Sequence, residues 1–294
     1  MKKIKVRAHA KINLFLEILG KRSDGYHEIE TILQSIALFD ELVFSLSSKL
    51  ELVSSSETVI PPEGNLALKA AVLLKKETGT EAGARISIIK NIPLASGLGG
   101  ASADAAASLV ALNALWELGL PFSFLQKLAG RLGADVPFCL RGGTVLGRGK
   151  GEKLEALPSF PFAHLVVAKP SFDVFTSEAY ERMDGFRRRP HSPSSLMAAL
   201  HKGNLKDIGK DLYNAFETVM AEWHPEILES KKKAVEEGAL GALMTGSGSA
   251  LFALAENSES AQRIAHRLSA LCPHVFVTTS YPRGLDLEIP TRRQ

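Results

Sequence analysis

Pro93-Leu94-Ala95-Ser96-Gly97-Leu98-Gly99-Gly100-Ala101-Ser102-Ala103-Asp104 is the stretch on which the reading of this chain turns. Three glycines and several small residues lie between an alternating segment, 84–93, and an Ala- and Leu-rich run. The alternation predicts a strand, and the run predicts a helix from about 101 to 117, buried on most sides. Glycine lets a backbone take positive φ and approach a ligand closely. A helix N-terminus offers unpaired N–H groups and the positive end of its dipole. Together they suit an anion, phosphate above all. Ser102 stands where a dinucleotide-binding fingerprint needs its third glycine, and no Gly-Lys-Ser/Thr triplet occurs. The competing reading is a tight strand-to-helix turn packed on its neighbour.

Upstream, residues 4–20 alternate and predict one or two strands, with Lys11 and Asn13 on the face opposite Ile12 and Leu14. A turn-rich segment, 20–28, leads to predicted strands at 29–39 and 41–47. Asn65 follows a proline-rich loop and is placed to cap a helix that begins near Leu66. Downstream come a helix at 123–133 ended by Gly133, a loop at 134–140, strands within 142–157 and a strand at 162–170. Helices follow near 176–183, 193–200, 204–220 and 225–237. A second Gly/Ser loop at 245–249 lies between two strand-like runs, before a helix at 258–270 and a strand at 274–280. The run 187–195, RRRPHSPSS, reads as a mobile loop. Strands and helices alternate without regular βαβ units, which favours an α+β fold. At 294 residues the chain is long for one core, so two domains are expected, 1–160 and 161–294.

The composition is that of a soluble globular protein, 45% hydrophobic and 23% charged, with a net charge of +3. The basic clusters are short: Arg187, Arg188 and Arg189, then Lys231, Lys232 and Lys233. They read as solvated surface, so no nucleic-acid partner is expected. Cys139 and Cys272 stand far apart without Cys-x-x-Cys spacing, which excludes a zinc ribbon or a disulfide framework and predicts buried free thiols. Lys11, Asn13 and Glu17 interrupt the apolar run near the start, so no signal peptide is expected. No stretch of about 18 apolar residues exists, so no membrane span is expected and the cytoplasm is the expected compartment.

Two more segments extend the pattern. One is AHAKINLFLEILGKRSDGYHEIET at 8–31; the other is LGADVPFCLRGG at 132–143, with TGSGSALF at 245–252 behind it. Taken in order with the glycine loop, they resemble the GHMP kinase superfamily of small-molecule phosphotransferases, from residue 5 to about 280. Lys11-Ile12-Asn13-Leu14 with Arg22-Ser23-Asp24-Gly25-Tyr26-His27 resembles the branch that phosphorylates a diphosphocytidyl sugar alcohol in non-mevalonate isoprenoid precursor synthesis. Other branches lack the Asp-Gly-Tyr-His segment. The glycine loop is shared by the whole superfamily and selects no substrate.

The resemblance implies an N-terminal α/β domain and a C-terminal α+β domain with a cleft between them. ATP is expected on Pro93, Leu94, Ala95, Ser96, Gly97, Leu98, Gly99, Gly100, Ala101, Ser102 and Ala103. Its adenine is expected near Asn65 and Leu66, which otherwise read as an ordinary helix start. The resemblance gives Asp135 the role of accepting the substrate hydroxyl's proton, where local chemistry alone reads a cap or turn. Lys11 would hold Asp135 ionised and stabilise charge on the attacking oxygen or on the phosphoryl group. Asn13, on the face of Lys11, is expected on a substrate hydroxyl. Tyr26 is expected to stack on cytosine and His27 to bond its edge. Tyr213 is the expected second ring, with Leu212 an alternative register. Thr176, Gly246 and Ser247 are expected to approach the substrate, and Ser249 reads as a plain turn. Mg²⁺ is expected with ATP, and Ser102 is placed to reach it or a phosphate. Asp104, where many members carry Asn, either caps the helix or aids the metal. Arg148 and Glu152 read as surface or hinge residues. The expected partner is the small-molecule substrate, and the chain a monomer or homodimer. Two rivals are another branch of the superfamily and a nucleotide- or RNA-binding module. The Tyr26-His27 segment argues against the first, and Asp135 with Lys11 against the second.

Overall fold

A computed structural model describes residues 3–54, 64–184 and 190–288. The elements of the first half are β1 (Lys3–Lys21), β2 (His27–Ser47), β3 (Glu51–Ser54), α1 (Leu66–Thr78), β4 (Gly83–Ile89), α2 (Gly100–Leu115), α3 (Phe122–Leu132), α4 (Val136–Arg141), β5 (Thr144–Gly149) and β6 (Lys153–Ala156). Those of the second are β7 (His164–Lys169), α5 (Thr176–Met183), α6 (Ser194–Lys202), α7 (Leu205–Lys210), β8 (Tyr213–Asn214), α8 (Ala215–Trp223), α9 (Glu226–Glu236), β9 (Gly241–Met244), β10 (Leu251–Ala255), α10 (Ser258–Leu268), β11 (His274–Thr279) and β12 (Leu285–Glu288).

The alternation at the start builds one long antiparallel hairpin of β1 and β2. β2 runs through Asp40, where two separate strands were expected. The buried Asp40 carboxylate accepts the N–H groups of Asn91 and Ile92 at 2.6 and 2.9 Å, so it serves a neighbouring segment and not a turn. The register of β1 shifts between His9 and Lys11. Ahead of that shift Ile4, Val6 and Ala8 enter a core under α1–α4; beyond it Ala10, Ile12 and Leu14 enter a second core. One strand thereby crosses between the two halves of the molecule.

Among the described residues, the first sheet runs β12–β1–β2–β4–β3, with β5 on β2, β6 on β5 and β8 on β1. The second runs β11–β7–β10–β9. One face of it, with Val166, Ala168 and Ala253, packs on α9 and α10. The other, with Leu165, Val167 and Phe252, packs on α6 and the middle of β1. The architecture is α+β. The first sheet takes β8 and β12 from beyond residue 161.

Two other expectations are corrected. Residues 136–141 of the predicted loop form the short helix α4, with Pro137 in its first turn, where a missing N–H costs nothing. The helix expected at 204–220 is broken into α7, β8 and α8. Asn214 caps α8 by accepting from Phe216 N–H and donates to Met244 O and Gly246 O, which pulls the chain into the sheet. β3 and β12 went unread. The expected loop at 187–195 lies outside the described residues through 189, and α6 begins at Ser194. Lys231, Lys232 and Lys233 pair with Glu217 and Glu236, as a solvated helix face does. No helix among the described residues is long and apolar enough to cross a membrane.

Candidate active site

The glycine loop joins β4 to α2 with the backbone its residues predict. Gly97 and Gly99 have φ of 76° and 75°, and Ala95 takes 47°, which costs a residue with a β-carbon about 1–2 kcal/mol. A β-carbon on Gly97 would stand 2.3 Å from Thr245 O, so the second Gly/Ser loop touches the first backbone to backbone. Lys11 N–H donates to Leu98 O at 2.9 Å and Ala250 N–H to Ser96 O at 3.1 Å, clamping the loop from both sides. The first helical bond of α2 runs from Ala103 N–H to Gly99 O, which leaves the N–H groups of Gly100, Ala101 and Ser102 as the open donors. No acidic side chain stands in that first turn. A cleft of about 770 Å³ lies over the loop, and every residue of 93–103 lines it except Leu98 and Ala103, which are buried beneath.

Lys11 is 3% exposed, not a surface lysine. Its Nζ donates to Asn13 Oδ1 at 2.8 Å and lies 3.4 Å from Asp135 Oδ2. A β-carbon at Gly99 would meet Lys11 Cγ at 3.0 Å, so the glycine also makes room for the lysine stem. Removing an ammonium from water costs several kcal/mol unless a partner offsets it, and the partner here is Asp135. The Asp135 side chain remains 37% exposed. It stands at the start of α4 but makes no capping bond, so neither cap nor turn accounts for it. Asn13 lines the cleft, yet its Oδ1 is taken by Lys11, by Thr245 Oγ1 at 3.2 Å and by Gly246 N–H at 2.9 Å. Its Nδ2 donates to Thr31 Oγ1 at 2.9 Å, which leaves one N–H for a ligand. Asn13 is chiefly a rivet between β1 and the second loop. Thr176 and Ser247 face each other across 3.2 Å on the opposite wall, with Gly246 beside them. Ser249 is buried and donates to Phe172 O, as a structural turn residue would.

At the far end of the cleft Tyr26 is exposed, with Lys150 Nζ 4.1 Å from its ring centroid. The His27 ring stacks on Tyr180 at 4.6 Å, and Phe216 holds Tyr180 edge-on at 4.9 Å. Tyr213 does not line the cleft. As part of β8 it packs on Phe15 at 5.5 Å and His191 at 4.0 Å. The second-half rings lining the cleft are Tyr180, one helical turn after Thr176 on α5, and Phe216 of α8. SEAYERM reads as an ordinary helix face, so nothing in the sequence distinguished it. Lys150 was equally silent, in a segment read as surface. Arg148 is a surface residue, paired with Glu30 and Glu155.

Asn65 caps α1, its oxygen accepting from Ala67 N–H at 2.9 Å and Leu68 N–H at 3.4 Å. Neither Asn65 nor Leu66 lines the cleft formed by the described residues. Lys90, unread in the sequence, lines it beside the glycine loop and pairs with Asp40 and, at 2.7 Å, with Asp104. Asp104 does not cap α2. Burial pushes its carboxyl up to about 7, with Lys90 pulling the other way and Asp40 adding to the rise. Burial works against the Lys90 ammonium, yet the two carboxylates outweigh it and hold the lysine above its ordinary value. The cation nearest Asp104 is the Lys90 ammonium. Among the described residues no three His, Cys, Asp or Glu side chains gather as a metal cage. Ser102 and Asp135 bring oxygen donors to the cleft beside the loop, which fits an ion carried in by a nucleotide.

Models of two families match the chain: the GHMP kinases N terminal domain over residues 65–143 and the GHMP kinases C terminal over 196–274. A 4-diphosphocytidyl-2-C-methyl-D-erythritol kinase of Pelotomaculum thermopropionicum is 46% identical over 277 residues, 93% of this chain and 96% of that one. One of the same name from Moorella thermoacetica is 45% identical over 278 residues, covering 92% and 96%. The crystal structure of a 4-(cytidine 5'-diphospho)-2C-methyl-D-erythritol kinase superimposes with a TM-score of 0.80 at 35% identity, covering 94% of this chain and 98% of that one. With its phosphate-type loop, its buried lysine–aspartate pair and this likeness along almost its whole length, the chain belongs to the GHMP kinase family, in the branch of the 4-diphosphocytidyl-2-C-methyl-D-erythritol kinases.

Proposed function

We propose that this protein transfers the γ-phosphoryl group of ATP to the 2-hydroxyl of 4-diphosphocytidyl-2-C-methyl-D-erythritol, giving the 2-phosphate and ADP, in isoprenoid precursor synthesis. The observation that carries this reading is the Lys11–Asp135 pair, 3.4 Å apart, in one cleft with the open N-terminus of α2. The N–H groups of Gly100, Ala101 and Ser102 receive phosphate oxygens. The Asp135 carboxylate takes the proton of the substrate hydroxyl as its oxygen attacks the γ-phosphorus. Lys11 Nζ stands 3.4 Å from that carboxylate and offsets the negative charge that develops at the attacking oxygen. Ser102 would help hold a Mg²⁺ ion bound with ATP, and such an ion would supply neutralisation of phosphate charge. Tyr26, His27 and Tyr180 receive the cytosine, and Thr176 and Ser247 the sugar-phosphate part. Lys11, the glycine loop and Asp135 come from 1–160; Thr176, Tyr180 and Gly246 come from 161–294. That division is our proposal for the two domains. The two cysteines are free and buried, as a reducing cytoplasm allows.

The test is ADP release with ATP and Mg²⁺, comparing the diphosphocytidyl sugar alcohol with the same alcohol lacking the cytidyl group. Turnover is expected only with the first. Equal turnover of both would refute the substrate. Asp135→Asn is expected to lower kcat by about 10²–10⁴-fold while ATP still binds. A variant that turns over at full rate would remove Asp135 as the base.

A further inference from the structure

Asp184 ends α5 and reaches back across the mouth of the cleft to the β1–β2 hairpin. Its Oδ1 lies 2.6 Å from His27 Nε2, and its Oδ2 pairs with Lys21 Nζ. α5 thus holds the His27 ring twice: Tyr180 covers its face, and Asp184, one turn on, takes its edge. The imidazole is 9% exposed, and Nδ1 makes no hydrogen bond among the described residues. An ionised carboxylate only accepts, so the proton of the neutral ring stays on Nε2 and Nδ1 is left as an acceptor. The bonds from Lys21 and then His27 hold the Asp184 carboxyl below its ordinary range, which keeps it an acceptor. Lys21 and Asp184 are too exposed for their pairing to contribute much to stability, so a purely structural account explains little.

We propose that Asp184 is a positioning residue that fixes His27 as its Nε2–H tautomer and thereby makes the cleft select cytosine over uracil. The inference rests on the reading that His27 meets the edge of the base. Cytosine carries an amino group where uracil carries a carbonyl. A bare Nδ1 receives a hydrogen bond from the first and opposes its lone pair to that of the second. A site built for a donor rejects the analogue that lacks one. Lys21 holds the far oxygen of the carboxylate, and Lys150 stands over Tyr26 on the other side.

The experiment measures kcat and KM for the cytidyl substrate and its uridyl counterpart in the whole enzyme and in Asp184→Asn, Asp184→Glu and Lys21→Met. It adds ¹⁵N NMR of the His27 ring in the free proteins. The wild-type ring is expected as the Nε2–H tautomer, with a KM preference for the cytidyl compound. Asp184→Asn is expected to mix the tautomers, to raise the cytidyl KM by about tenfold and to narrow the cytidyl-to-uridyl ratio, with kcat little changed. Asp184→Glu is expected to recover part of both signals, and Lys21→Met to keep the ratio. An Asp184→Asn protein with the wild-type tautomer and the wild-type ratio would overturn the proposal. If the wild type ignores the base while Asp184→Asn still scrambles the tautomer, the contact of His27 with the base falls, and selection falls with it. The hold of Asp184 on His27 would then stand alone.

Discussion

Lys90 sits between Asp40 and Asp104 beside the glycine loop. Asp40 is fully used by two backbone N–H groups and the ammonium. Asp104 is not, because its Oδ1 is buried with no partner among the described residues. Burial raises its carboxyl from an ordinary 3.8 to about 7. The native chain then binds this proton more tightly than the unfolded chain. The stability tied to it is complete below about pH 4 and is lost as pH rises through about 7. Asp104→Asn keeps the shape and removes the charge. Its Tm minus that of the wild type is expected to grow between about pH 5 and pH 8 in parallel melts. A difference that stays flat over that range would show that another group titrates there. Residues of this kind mark the limit of sequence reading. Lys11 and Asp135 were legible because a motif surrounds each of them. Lys90, Lys150, Tyr180 and Asp184 were not, since each gains its role from a partner far away in the chain.

At the scale of elements, most helices declared themselves through apolar spacing and caps. α1 is the clearest case: Asn65 was read as its cap and does cap it. The same residue was also placed near adenine, and the two readings separate by measurement. Asn65→Ala is expected to cost about 1 kcal/mol in denaturant unfolding and to leave KM for ATP unchanged. A raised KM at unchanged stability would return the adenine to this helix end. The elements that went unread share a cause. α4 is a six-residue helix, too short to show a period, and carries a proline. β8 is two residues long and exists because Asn214 bonds to the second loop. β3 and β12 are four residues each and pair with β4 and β1. Short elements carry too few residues for local pattern to outweigh chain entropy, so their partners decide them.

For the whole molecule, the addition of β12 to the edge of the first sheet ties the chain's late residues to the site. Gly142 and Gly284 meet backbone to backbone there: a β-carbon on Gly142 would fall 1.8 Å from Gly284 N, and one on Gly284 1.9 Å from Cys139 O. Gly142 also has a φ of 71° and directly follows α4, the helix that begins next to Asp135. Gly142→Ala is expected to push β12 off and cost about 2–4 kcal/mol, seen as a lower urea midpoint, and to lower kcat by shifting α4. An unmoved midpoint would mean that β12 is anchored elsewhere. The sequence by itself determined the α+β class and the loop at 93–103 with its helix. These depend on local spacing and on glycine's φ range, which neighbours along the chain suffice to set. Only the tertiary structure decided that Lys11 is buried 3.4 Å from Asp135, that Asn13 is a rivet, and that Tyr180 and not Tyr213 lines the cleft. Those facts depend on how β1 crosses between two cores and how two glycine loops touch. They arise from close packing between segments more than a hundred residues apart, which no local pattern encodes.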